Sequence, residues 1–276
     1  MYLEIQNLSK TIARTAILQN LSLEMERGKI YGLWGKNGSG KTMLIRAICG
    51  LIHPSEGEIL IDGERLGKDI AFPRSIGALI ESPGFIAGYS GIKNLRFLAG
   101  IQQKIGDDQI RSVMTALSLD PDDRKKFKKY SLGMKQKLGI AAAIMEKPEV
   151  ILLDEPFNAL DEKSAAAVGN ILREEKKRGT LILLSCHDKA ELDALADEGV
   201  RRKVNDGLDV VLRENLVENG RIADIALIEL RFRIQGIAVT RLQIVDDDDI
   251  FALLHELMNC MRTDIASAAT NQNRHM

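Results

Sequence analysis

Gly35-Lys36-Asn37-Gly38-Ser39-Gly40-Lys41-Thr42 meets in full the pattern G-x-x-x-x-G-K-[ST]. The sequence on either side agrees with it. Ile30-Tyr31-Gly32-Leu33 reads as a short buried strand leading in, and Met43 to Cys49 reads as a helix stopped by Gly50. Glycines let successive amides turn inward around a phosphate where a side chain would block the approach. The helix that follows adds its N-terminal dipole. Lys41 is placed to contact the β- and γ-phosphates of ATP, and the Thr42 hydroxyl to hold Mg²⁺. Gly35, Lys36, Asn37, Gly38, Ser39, Gly40, Lys41, Thr42 and Met43 are therefore candidate nucleotide contacts.

Outward from the loop, strands alternate with helices. Leu3, Ile5 and Leu8, then Leu21, Leu23 and Met25, predict strands before the loop, and Pro54-Ser55-Glu56-Gly57 and Asp62-Gly63 bracket another from Glu58 to Ile61. From about 85 to 147 the apolar residues fall at helical spacing, with Leu95, Leu98 and Ile101, then Ile110, Val113, Met114 and Leu117. A strand, Val150 to Leu153, comes next. A helix from Glu162 to Arg178 follows, with Asp161 as N-cap and Gly179 as its stop, and then a strand from Thr180 to Leu184. This order predicts an α/β fold with a largely parallel sheet.

The apolar run Val150-Ile151-Leu152-Leu153 ends in Asp154-Glu155-Pro156. Acids at the carboxyl end of a buried strand are costly unless they bind something, and in such sheets the binding crevice lies at those ends. Asp154 is the candidate partner of Thr42 on Mg²⁺, and Glu155 the candidate general base that polarises an attacking water.

Composition sets the outer limits. The chain has 276 residues, 45% of them apolar, enough for a large core. Its 38 basic and 39 acidic residues leave no global basic field, so no nucleic-acid partner is expected. Cys49, Cys186 and Cys260 are few and unpatterned, as in a reducing cytosol. The N-terminus lacks the apolar core of a signal peptide, and no apolar run approaches the roughly 18 residues of a membrane helix. After about residue 205 the pattern changes. Glu229 to Ile234 alternates as a half-exposed strand, Ile250 to Met261 reads as an amphipathic helix capped by Asp249, and the polar tail from Ala266 is expected to fray.

Tyr130-Ser131-Leu132-Gly133-Met134-Lys135-Gln136 narrows the field. It resembles the signature motif of ABC-type ATPases, although Leu132 and Met134 stand where Gly and Gln are usual. Asn158-Ala159-Leu160-Asp161 is similar to the family's D-loop, and His187 stands where its switch histidine stands. The resemblance covers residues 1 to about 200. It implies a P-loop NTPase core over 1–205, with an N-terminal antiparallel β subdomain, a helical subdomain at about 85–147 and a small α+β C-terminal extension over 206–276.

The resemblance further implies an ATP-sandwich homodimer, in which Ser131 and Gly133 of one copy face the γ-phosphate held by the other. His187 joins Glu155 and Lys41 as catalytic candidates. The implied partners are a second copy of the chain and separately encoded permease subunits. The implied location is cytoplasmic, peripheral on the inner face of the cell membrane.

Two departures carry information. Glu81, in Ile80-Glu81-Ser82-Pro83, replaces the usual Gln that contacts Mg²⁺, so Glu81 is a metal candidate. With Phe85 beyond, this resembles the ATPases of lantibiotic and bacitracin-type peptide exporters, which often confer immunity or resistance. Ile12 replaces the usual adenine-stacking aromatic and keeps apolar contact with the base while losing about 0.5–1.5 kcal/mol of stacking. Arg201-Arg202-Lys203 and Asp246 to Asp249 read as solvated turns. Other transporter classes, importers included, stay open. A soluble ABC ATPase acting on DNA or ribosomes usually carries two such domains or a long coiled-coil insert, and neither is present.

Overall fold

A computed structural model describes residues 1–35 and 38–187. The chain opens with a hairpin. β1 (Leu3–Ile12) runs antiparallel to β2 (Thr15–Met25). The two-residue turn between them places Ala13 and Arg14 at φ 46° and 68°, the left-handed geometry that matches strand twist. β3 (Ile30–Trp34) follows, and then α1 (Lys41–Ile48). β4 (Glu56–Ile61) pairs with the other edge of β1, and Asp62 and Gly63 turn it into the short β5 (Glu64–Arg65). The first sheet therefore has the order β2-β1-β4-β5 and is antiparallel throughout, as expected for the N-terminal subdomain.

The second sheet is parallel. Its order is β3-β8-β7-β6, with β6 (Ile76–Leu79), β7 (Val150–Asp154) and β8 (Leu181–Cys186). Every residue of β7 and β8 is buried, which explains their unbroken apolar runs: both faces of this sheet are covered. Alternate residues divide between two cores. Ile151, Leu153, Ile182 and Leu184 join one with the helices, whereas Val150, Leu152, Leu181 and Leu183 join the other with α1 and the antiparallel sheet.

The helices of the first core are α2 (Gly91–Gln102), α3 (Asp107–Ala116), α4 (Leu132–Ile144) and α5 (Glu162–Lys177). The first three lie in the stretch read as helical. Asp161 caps α5, its Oδ1 accepting from Ser164 N at 2.7 Å, and Gly179 follows at φ 94°. α4 starts at Leu132 with Ser131 as its N-cap. β6 and α4 touch very closely: a Cβ on Gly77 would sit 1.7 Å from the Ala143 carbonyl. The Leu79 side chain and Pro83 in turn lie against Gly139 of α4. The boundary expected near residue 205, the C-terminal strand and helix, Arg201 to Lys203 and Asp246 to Asp249 fall outside the described residues.

Candidate active site

The site gathers where the parallel strands end. α1 begins without a side-chain cap, from Gly40 at φ 94°. Gly38 lies at φ 83°, and a Cβ on Gly35 would meet Ser39 Oγ at 2.8 Å. Ser39 Oγ is buried and has no hydrogen-bond partner among the described residues. A buried hydroxyl left in that state is costly, and an anion in the loop would satisfy it. Lys36 and Asn37 lie outside the described residues; Met43 is the third residue of α1.

Lys41 is the first residue of α1 and is buried at 5% exposure. Its Nζ donates to the Gly35 carbonyl at 2.6 Å. Burial pushes the ammonium below its ordinary pKa, against the opposing pull of Glu155, Asp154 and Cys186. A cation held at that cost at the N-terminus of a helix is suited to phosphate. Thr42 Oγ1 donates to Asp154 Oδ2 at 2.7 Å, so the loop and the β7 carboxylate meet as the sequence predicted. A hydroxyl and a carboxylate are hard oxygen donors, and Mg²⁺ characteristically takes few protein ligands and completes its shell with water and phosphate. The residues present fit the ion.

Sequence reading missed what positions the two acids. Ser185, on β8, donates through Oγ to Asp154 Oδ1 and accepts from the Glu155 amide at 3.0 Å. One hydroxyl thus fixes both residues. The available signal was a single polar residue in the apolar run Leu181 to Cys186, a position that burial penalises unless it is bonded. Gln136 of α4 was also missed: its Nε2 donates to the Glu155 carbonyl at 3.0 Å. Glu155 itself lies at φ 48°, and Asn158 Nδ2 contacts its Oε2 at 3.4 Å. His187 Nδ1 stands 3.7 Å from the same Oε2, bringing together the two residues expected around an attacking water.

The other predicted residues make contacts of their own. Ser131 Oγ accepts from Met134 N at 3.2 Å, and a Cβ on Gly133 would meet the Ala159 carbonyl at 2.8 Å. The signature turn is therefore seated on the 158–160 loop of its own chain. Leu132 is exposed at 64%. Ile12 ends β1 half-buried, and Trp34, directly before the loop, packs partly buried against the helical core. Glu81 makes no hydrogen bond to Thr42 or Asp154 among the described residues. Its Oε1 accepts instead from Arg46 Nη2 at 2.8 Å, with Glu81 at φ 56°.

A family model described as ABC transporter matches residues 18–158. An ABC transporter ATP-binding protein of Bacillus subtilis, YybJ, described as uncharacterized, is 48% identical over 71% of this chain and 89% of its own length. The chain belongs to the ABC transporter ATP-binding family. Its resemblance to the peptide-antibiotic branch also holds. The bacitracin transport ATP-binding protein BcrA of Enterococcus faecalis is 36% identical over 71% of this chain, which spans 64% of BcrA's length. The lantibiotic transport ATP-binding protein SrtF of Streptococcus pyogenes is 33% identical over 71% of this chain and 84% of its own length.

Among solved structures, an ATP-binding subunit of an ABC transporter superposes with a TM-score of 0.65 at 28% identity, over 71% of this chain and 84% of that one. ABC cassettes bind and hydrolyse ATP, so the loop, Asp154 and Glu155 lie in an ABC ATPase fold. Among the described residues no helix is long and apolar enough to cross a membrane.

Proposed function

We propose that this chain is the ATP-hydrolysing, energy-coupling subunit of a bacterial ABC exporter of peptide antibiotics, one that confers immunity or resistance. It docks from the cytoplasm on separately encoded permease subunits at the inner face of the membrane. The observation that carries the ATPase reading is the juxtaposition of Thr42, Asp154, Glu155 and His187 at the ends of β7 and β8. The peptide-antibiotic cargo is supported by the names of BcrA and SrtF and by Glu81 at its position.

In this reading the uncapped start of α1 and the glycine cradle bind the triphosphate, with Lys41 turning from the Gly35 carbonyl to the β- and γ-phosphates. Thr42 and Asp154 would hold Mg²⁺, which would supply charge neutralisation at the phosphates. Glu155 accepts a proton from the attacking water, and His187, whose Nδ1 stands 3.7 Å from Glu155 Oε2, helps orient that water. Ser131 and Gly133 reach the γ-phosphate on a second copy, so two ATPs are enclosed between two chains.

Glu155→Gln keeps the shape and removes the base. It is expected to lower turnover by about 10²–10⁴-fold and to trap an ATP-bound dimer, seen by size exclusion with retained nucleotide. Turnover at the wild-type rate would remove Glu155 from the reaction.

A further inference from the structure

Arg46 lies four residues beyond Thr42 on α1, so the two share a face of the helix about 6 Å apart along its axis. That face points to the segment leaving β6. Arg46 Nη2 donates to Glu81 Oε1 at 2.8 Å, and the Arg46 side chain is only 32% exposed against 61% for Glu81. Arg46 Nη1 also reaches Met43 Sδ at 4.0 Å, fixing the guanidinium along the helix. Glu81 is held from the other side as well. β6 is hydrogen-bonded to β7, and Pro83 lies against Gly139 of α4. Its φ of 56° places a residue with a side chain in the left-handed region. The carboxylate is therefore anchored one helical turn from the place where the triphosphate would sit.

A glutamate there is a problem for a nucleotide site. A full negative charge on the order of 10 Å from several phosphate charges repels them, and partial exposure screens this only in part. We propose that Arg46 is a positioning residue for nucleotide binding: it holds the Glu81 carboxylate on α1 and cancels its charge, so that ATP can bind beside it. This rests on the reading of Gly35–Thr42 as the ATP grip. It assigns a role to a residue that touches neither phosphate nor metal, and it makes Glu81 and Arg46 one functional unit whose net charge is zero.

The test is a double-mutant cycle read by equilibrium binding of a fluorescent ATP analogue at low salt, with Mg²⁺ chelated so that no metal effect intervenes. Thermal melting of each variant monitors folding. Arg46→Met is expected to weaken binding about three- to tenfold, because Glu81 is left uncompensated. Glu81→Gln is expected to tighten it, since Arg46 then acts on the phosphates alone. The double variant should return to within about twofold of wild type, and Arg46→Lys should recover most of the loss. A simple packing role for Arg46 would lower the melting temperature without this pattern of rescue. Binding by Arg46→Met at wild-type strength overturns the inference, and so does a double variant as weak as Arg46→Met. Either result beside normal wild-type binding leaves the ATP reading intact, whereas a wild-type chain that binds no ATP overturns both.

Discussion

At the scale of single residues, the site is paid for in stability. Lys41 is buried, and its burial disfavours the charged form. A base with a depressed folded-state pKa makes the fold less stable where the unfolded chain is protonated, and that penalty fades as pH rises through the folded toward the unfolded value. Lys41→Met is therefore expected to raise the melting temperature of the nucleotide-free protein at neutral pH, by about 1 kcal/mol of stability, while abolishing ATP binding. Calorimetry with and without ATP reads both effects. Ser185→Ala acts in the opposite sense. It removes the hydroxyl bonded to Asp154 and to the Glu155 amide, and is expected to cost about 1–3 kcal/mol together with a loss of turnover. Asp154 and Glu155 could be read from the sequence because two acids at the end of an apolar strand have few explanations. Ser185 could not, because its partner is 31 residues away and only the pairing of β7 with β8 brings them together.

At the scale of elements, legibility followed periodicity and punctuation. α5 was readable from its cap and its stopping glycine. β6 was not: Ile76-Gly77-Ala78-Leu79 is four residues long and lacks both alternation and a β-branched run. Its glycine is explained by α4, whose Ala143 carbonyl leaves no room for a side chain. α4 shows the converse. Leu138, Ile140, Ala141, Ala143 and Ile144 are buried around the helix, so no apolar stripe announces it. Gly77→Ala is expected to destabilise by about 3 kcal/mol or to prevent folding, as seen in urea unfolding. Gly100→Ala, in α2 with nothing within 4 Å of the added Cβ, is expected to stabilise by up to about 1 kcal/mol. Equal effects at the two positions would contradict the packing described between β6 and α4.

At the scale of the whole molecule, the described chain holds only one half of each proposed site. Ser131 and Gly133 lie at the start of α4 and the glycine cradle at the start of α1, and in the proposed pair each meets its counterpart on the other chain. A mixture tests the arrangement. Lys41→Ala has an intact signature turn, and Ser131→Arg an intact phosphate loop. Each alone is expected to be inactive. Mixed, they form hybrid pairs with one complete site, and turnover should reappear; absence of recovery would argue against a site shared between chains.

The seat of α4 then has a consequence for such a pair. The signature turn at its start rests on the Ala159 carbonyl, and Gln136 one turn further on grips the Glu155 carbonyl. In the proposed pair, each α4 would touch the nucleotide of the opposite chain with one end while steadying its own chain's base with the next turn. Filling one site would then alter the alignment of Glu155 in the other, so the two halves would not fire independently. ATP turnover should follow a Hill slope above one, and Gln136→Ala should flatten it toward one with smaller change in the affinity of the first ATP bound.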